Sequence, residues 1–297
     1  MSNLSLLKKL REETGCGISD CNKALKENND DYENSVDWLR KKGLSSAAKK
    51  TGRITSEGAV AVYVDNNKAS IIEVNSETDF VARNQKFQDF VSDLSKESLK
   101  YDGDIEKFKA DKDEEVKAQI GVIGENINIR RIDYAQVENG IIASYIHNKI
   151  SDNIGKIAVL VAFESTADKN KLEDLGKQIT MHIAATKPEA LNIESVDSAK
   201  LAREVDILKE QARSSGKPEN IIEKMIQGRI RKYYEEVVLL EQSFVIDDKV
   251  KIKDLLDNFS QENSKTEISS YKIFVLGEGI EKKEDDFAAE VAAMSKK

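Results

Sequence analysis

The chain has 297 residues, 46 Lys+Arg against 54 Asp+Glu for a formal net charge of −8, 39% hydrophobic residues, two prolines and two cysteines. That length suits about two domains with a real core, and the apolar fraction excludes wholesale disorder. Net acidity argues against phosphate-backbone binding as the main task, since such binding runs on clustered positive charge, so no direct nucleic-acid partner is expected.

No uncharged apolar run reaches the roughly 18 residues that span a bilayer, and the first twenty residues carry Glu12, Glu13 and Asp20. The expectation is a soluble, cytoplasmic chain without a membrane partner. Cys16 and Cys21 are too few for a disulfide framework or a thiolate zinc site, which fits a reducing compartment.

Residues 1–50 place Leu4, Leu7, Leu10, Ile18, Ala24, Leu25, Val36 and Leu39 at helical spacing, with breaks at 14–17 and 28–30, which predicts three short helices. Asp31 suits the cap of the third, and Trp38 its buried face. Residues 41–53 are basic and small and read as a linker. From Gly58 the period becomes two: Val60, Val62 and Val64, the turn Asp65-Asn66-Asn67-Lys68, then Ile71, Ile72 and Val74, a β-hairpin. A helix over 78–100, a charged helix over 104–117 and a strand over 127–137 follow.

The second half repeats the order. Strands over 141–146 and 157–163 flank a polar loop, a helix covers 167–185, and a strand covers 271–276, so the pattern reads as a duplicated α+β unit. This copy is interrupted by two helical runs, one with Leu201, Val205, Leu208 and Ala212, the other with Ile222, Ile226, Ile230, Tyr233 and Val237. Separated by a turn at 214–218, they predict an antiparallel hairpin of coiled-coil spacing. It either packs on its own core or offers a surface for a partner or a homodimer. An Ala-rich helix over 287–294 closes the chain.

Enzyme signatures are missing. The sequence has no phosphate loop, no dinucleotide fingerprint, no H-E-x-x-H and no G-x-S-x-G, and Gly277-Glu278-Gly279 lacks the third glycine. His182, on an amphipathic helix, reads as packed rather than as a base, while His147 at a strand end reads as exposed. No catalytic residue, metal ligand or cofactor is predicted, and a hydrolase or transferase built on either histidine lacks a nucleophile.

One segment, Ser76-Glu77-Thr78-Asp79-Phe80-Val81-Ala82-Arg83-Asn84, joins a strand to a helix. Thr78 or Asp79 suits the helix cap, and Ser76 with Asp79 has capping-box spacing. Phe80 either staples the helix or projects as an interface anchor.

At these residues the chain resembles the bacterial elongation factor Ts family, guanine-nucleotide exchange factors of elongation factor Tu. The resemblance runs from Leu6 to Met294. It rests on Leu10-Arg11-Glu12 with Thr14-Gly15, on Asp20-Cys21 with Lys23-Ala24-Leu25, and on Glu73-Val74-Asn75 leading into Thr78-Asp79-Phe80-Val81-Ala82. Further along it rests on Ile123-Gly124-Glu125-Asn126-Ile127-Asn128-Ile129-Arg130-Arg131, Met181-His182-Ile183-Ala184-Ala185 with Lys187-Pro188, Gly216-Lys217-Pro218 and Gly277-Glu278-Gly279-Ile280-Glu281-Lys282.

The fold class this implies is α+β: a three-helix domain similar to ubiquitin-associated domains (1–52), a core of two related subdomains (53–138; 139–187 with 243–278), an inserted coiled-coil hairpin (188–242) and a C-terminal helical module (279–297). The implied function is exchange on elongation factor Tu in translation elongation, without a covalent step. Thr78, Asp79, Phe80 and Val81 inherit the reach toward the partner's magnesium and nucleotide site. Ile123, Gly124, His147, Val245 and Ile246 inherit contacts elsewhere on the partner, and Ile18 and Ser19 a contact with its nucleotide domain. Ile18-Ser19 stand where family members often carry two methionines, a weaker grip by roughly 1–3 kcal/mol at most. The loop from Asn148 to Asn153 is longer than the family's usual form. The reading from another class is a non-catalytic scaffold whose T-D-F-V corner is only a helix cap.

Overall fold

Three helices come first, the short α1 (Asn3–Thr14) and α2 (Ile18–Glu27) and the longer α3 (Tyr32–Lys50), in a computed structural model that describes residues 3–213 and 219–280. Leu10, Cys21, Ala24, Leu25 and Leu39 form their core, with Trp38 half-buried at its edge. Asp31 caps α3 by accepting the Asn34 amide at 2.9 Å.

The expected linker over 41–53 is corrected, because α3 continues to Lys50. Its small residues let it lie close against α6 (Ile105–Ile123), and Ala47 is fully buried in the core of the next unit. The tightest crossing is between glycines. A Cβ on Gly121 would stand 2.7 Å from the Gly43 Cα, whereas one on Gly43 would meet Gly121 at an ordinary 3.7 Å. Gly121→Ala therefore destabilises the chain by about 1–3 kcal/mol through overpacking, while Gly43→Ala is neutral or stabilising because it relieves a helix glycine. Urea midpoints of the two variants check this asymmetry.

Among the described residues, seven strands form two antiparallel sheets. The first contains β1 (Glu57–Asp65), β2 (Lys68–Ser76), β3 (Ile127–Gln136) and the two-residue β5 (Ile154–Gly155), in the order β3-β2-β1-β5. The second contains β4 (Gly140–His147), β6 (Ile157–Ser165) and β7 (Thr266–Val275), in the order β4-β6-β7. In each, a hairpin comes first, helices intervene, and the last strand pairs with the hairpin's second strand. The polar loop after His147 supplies β5, which crosses to pair with β1 through Ala61↔Ile154.

The sheets pack face to face with helices outside. Because side chains alternate along a strand, Ala59 and Ala61 face the helices of the first unit while Val60 and Val62 face the second sheet. Likewise, Val159, Val161 and Phe163 face helices while Ala158, Leu160 and Ala162 face the first sheet. The outer layer is α5 (Gln85–Ser98) and α6 on one side, and α7 (Lys169–Thr186) and α10 (Ile252–Glu262) on the other.

Several boundaries differ from expectation. The helix expected over 78–100 is broken into α4 (Asp79–Ala82) and α5, because Asn84 turns its side chain to accept the Lys86 amide at 2.9 Å and starts a new helix. The charged helix runs on to Ile123 and stops at Gly124, whose φ of +88° suits glycine. Helix α10 was not expected. Of the inserted hairpin, α8 (Ser198–Arg213) and α9 (Glu219–Val237) are described; Leu208 and Ile222 are buried, whereas Ile207 and Ile221 are exposed. The turn at 214–218 and the helix expected over 287–294 lie outside the described residues. Among those residues, no helix is long and apolar enough to cross a membrane.

Candidate partner-binding surface

Strand β2 ends in the core at Ser76, and Thr78–Val81 form a corner fixed from both sides. Below it, Val81 and Ala82 are buried in the first unit's core, 7% and 3% exposed. Beside it, the Glu125 carboxylate accepts both the Thr78 amide (2.9 Å) and the Thr78 hydroxyl (2.7 Å). Above it, Phe80 is 78% exposed, the most exposed large hydrophobic side chain among the described residues.

The capping box expected between Ser76 and Asp79 does not form. The Ser76 hydroxyl donates to the Thr78 carbonyl at 3.0 Å, and Thr78, although at the cap position, makes no side-chain cap bond. Its hydroxyl is committed to Glu125 instead. Asp79 lies 3.6 Å from Arg83, a largely solvated pair of little energetic weight.

Glu125 belongs to the turn between α6 and β3. In that turn Ile123 is half-buried against the core and Gly124 is exposed. The turn is itself anchored: Glu77 accepts the Asn126 amide at 2.6 Å and pairs with Arg53 at 3.2 Å, and the Asn126 side chain donates to the Arg53 carbonyl at 2.9 Å. Lys50 Nζ donates to the Gly124 carbonyl at 2.6 Å. The structure thus unites Thr78–Val81 with Ile123–Gly124. Glu125, Glu77 and Asn126 lie in stretches the sequence singles out but receive no role there, since nothing in spacing relates a carboxylate to a backbone amide 47 residues earlier.

The His147 loop joins the same region. Asp79, Arg83, Asn148, Lys149 and Lys156 line one surface groove. His147 is exposed, with its Nδ1 3.2 Å from the Tyr145 hydroxyl. Ile18, 52% exposed, and Ser19, also exposed, begin α2, and Ile18 lines a depression with Leu4 and Lys86. Lys86, the second residue of α5, donates to the Gly15 carbonyl at 2.9 Å and so ties α2's entry to the helix that follows the corner.

Val245 and Ile246 lie on a separate element, the loop between α9 and α10, and are 51% and 64% exposed. Beneath it, His182 is fully buried; burial holds its pKa below the ordinary imidazole value, only partly opposed by its hydrogen bond with Gln242. Among the described residues, no group of three or more His, Cys, Asp or Glu is arranged to hold a metal ion.

A family model described as Elongation factor TS matches residues 77–278. Elongation factor Ts of Rhodospirillum centenum is 50% identical over 300 residues, covering 98% of this chain and 98% of the relative. The chain belongs to the elongation factor Ts family. Elongation factor Ts of Rhodospirillum rubrum is 50% identical over 303 residues (99% and 98% covered), and that of Rhizobium etli 47% identical over 301 (98% and 98%). Membership in the elongation factor Ts family gives the chain a role in translation elongation. The family match opens at Glu77, beside the corner, and closes at Glu278, so it contains the corner, its Glu125 strut, His147 and the Val245–Ile246 loop.

Proposed function

We propose that the chain promotes release of GDP from elongation factor Tu by inserting the Thr78–Val81 corner where that partner holds its magnesium and nucleotide. The observation that carries this reading is an aromatic ring left 78% exposed on a backbone pinned by buried neighbours and a two-point carboxylate strut. Exposure of a single large ring on an ordered corner is the signature of an interface anchor rather than of a staple.

The exchange itself needs no covalent step, and no residue is assigned a catalytic role or a cofactor. The factor binds the emptied partner more tightly than the loaded one, and the coupling is reciprocal. Magnesium bridges phosphate oxygens to the GTPase, so displacing the groups that hold it removes much of the nucleotide's electrostatic hold. Phe80 is the wedge in this scheme and Asp79 brings a carboxylate to the vacated region. Ile123, Gly124 and His147 border the wedge, while Ile18 with Ser19 and Val245 with Ile246 supply contacts away from it.

Mixing the chain with elongation factor Tu loaded with labelled GDP tests the reading. Faster release at substoichiometric chain is expected. Unaltered release, with binding retained, would leave a scaffold in its place, and the missing capping box already weighs against treating the corner as a mere cap.

The strut has its own test. Glu125→Ala frees the Thr78 backbone, which costs roughly 1–2 kcal/mol per residue to order again on binding. GDP release at subsaturating factor then falls roughly five- to thirtyfold through a higher half-saturating concentration, read by the same fluorescence assay. Wild-type rates in this variant would mean that the corner needs no pre-organisation.

A further inference from the structure

The buried imidazole of His182 is used by nothing described so far, yet all of its polar atoms are engaged. Its Nε2 lies 2.9 Å from Gln242 Oε1, and its Nδ1 lies 3.3 Å from the Val245 amide nitrogen. The Gln242 side chain cannot be turned the other way, because its Nε2 donates to the Glu236 carbonyl at 2.7 Å. Gln242 Oε1 is therefore an acceptor, which the Thr186 hydroxyl also approaches at 3.0 Å. It follows that His182 carries its proton on Nε2 and donates there. Nδ1 is left with a lone pair, which accepts the Val245 N–H.

Val245 is the first residue of an exposed tip on an otherwise tied loop. Phe244, its predecessor, is buried with its ring 6.0 Å from the imidazole, and its amide donates to the Val250 carbonyl at 2.8 Å. Asp247 donates back to the Phe244 carbonyl at 3.1 Å, and Ile252 to the Gln242 carbonyl at 3.0 Å. The Val245 amide is the donor that points inward at the tip, and the one group that takes it belongs to α7. A hydrogen bond from loop to helix at that atom sets which way the Val245 and Ile246 side chains face.

We propose that His182, as the neutral Nε2–H tautomer, is a positioning residue that holds the Val245–Ile246 tip in the orientation presented to the partner. This rests on the reading of that tip as a partner contact. His182 touches the partner nowhere in this scheme; it acts through the Val245 amide.

Two near-isosteric substitutions separate its two nitrogens. His182→Asn keeps an acceptor near Nδ1 and loses the donor to Gln242; His182→Gln keeps the donor and loses the acceptor. Amide hydrogen exchange on the full chain is expected to show the Val245 amide losing at least tenfold protection in His182→Gln and keeping most of it in His182→Asn. In the GDP-release assay, His182→Gln raises the half-saturating concentration of the factor roughly three- to tenfold with the saturated rate unchanged, in proportion to one lost hydrogen bond. In a Val245→Ala/Ile246→Ala background it adds nothing further.

Unchanged Val245 protection in His182→Gln overturns the inference whatever the exchange assay shows. Lost protection combined with a silent Val245→Ala/Ile246→Ala variant instead removes the partner contact, and with it the functional half of the inference. Nitrogen NMR of the wild-type ring needs no variant: a protonated Nε2 and bare Nδ1 near neutral pH are expected, and the opposite tautomer refutes the assignment.

Discussion

Phe80→Ala is expected to reduce the acceleration of GDP release by roughly 30- to 700-fold while leaving the chain as stable as before. The first number follows from the cost of truncating a central aromatic anchor, about 2–4 kcal/mol, at 1.4 kcal/mol per factor of ten. The second follows from the ring's position: with 78% of Phe80 in solvent, little burial is lost within the factor itself, and exposed substitutions lie within about 0.5 kcal/mol. Few residues separate the two effects so cleanly, because most large apolar side chains in this chain are core. Stopped-flow traces over a range of factor concentrations distinguish loss of grip, seen as a higher half-saturation, from loss of the wedge, seen as a lower plateau. A wedge predicts that the plateau falls. If plateau and half-saturation both match wild type, Phe80 is a bystander and the corner's role must be given up.

Why was the ring legible in the sequence while its support was not? Phe80 follows Asp79 at a strand-to-helix change, and that local oddity survives in a one-dimensional reading. The strut does not, because Glu125 reaches Thr78 across 47 positions and obeys no period. The same division runs through the fold. Strands with strong alternation, such as Val60 and Val62, were visible, but their burial against a second sheet was not, since alternation marks one apolar face and Ala59 and Ala61 on the other face look neutral. Residues 41–50 read as a linker because Gly43 and Ala47 contribute no apolar period. Their smallness is what lets α3 approach α6, and close packing of small residues leaves no hydrophobic signature. Helix α10 was readable in principle: Ile252, Leu255, Leu256 and Phe259 keep helical spacing, but the charged residues around them and the short length hid it.

The largest stability effect is expected at Glu73, which is fully buried on β2 and joins the two sheets. Oε1 accepts the Gly277 amide (2.9 Å), the Asn75 side-chain amide (3.0 Å) and Arg130 Nη1 (2.9 Å), and Oε2 accepts Arg131 Nε (2.6 Å). Gly277 lies just past β7 of the other sheet, and Arg131 also donates to the Val275 carbonyl at 2.9 Å, so one carboxylate organises the seam where the end of β7 meets β2 and β3. Burial pushes the carboxyl's pKa up, but the Gly277 amide, the Asn75 amide and the two guanidinium groups outweigh it and hold Glu73 below the ordinary carboxylate value. Glu73→Ala therefore costs about 3–5 kcal/mol, the penalty for removing one partner of a buried pair. The lower end is expected, since the side chains of Arg130 and Arg131 remain 25% and 29% exposed and can rehydrate. Glu73→Gln keeps the volume and one acceptor but turns an NH2 group toward donors on its other side, so its cost combines the lost charge with one donor facing a donor. The sign of its pH dependence is fixed: a depressed folded pKa stabilises above the unfolded value of about 4.5 and the benefit is lost as pH falls through the folded value. Urea unfolding at neutral pH and again between about pH 5 and pH 3 should show the gap between wild type and Glu73→Gln closing on the acid side. A gap that stays constant, or one that is below about 1 kcal/mol at neutral pH, would mean that the cluster is held by shape and neutral hydrogen bonds and not by charge.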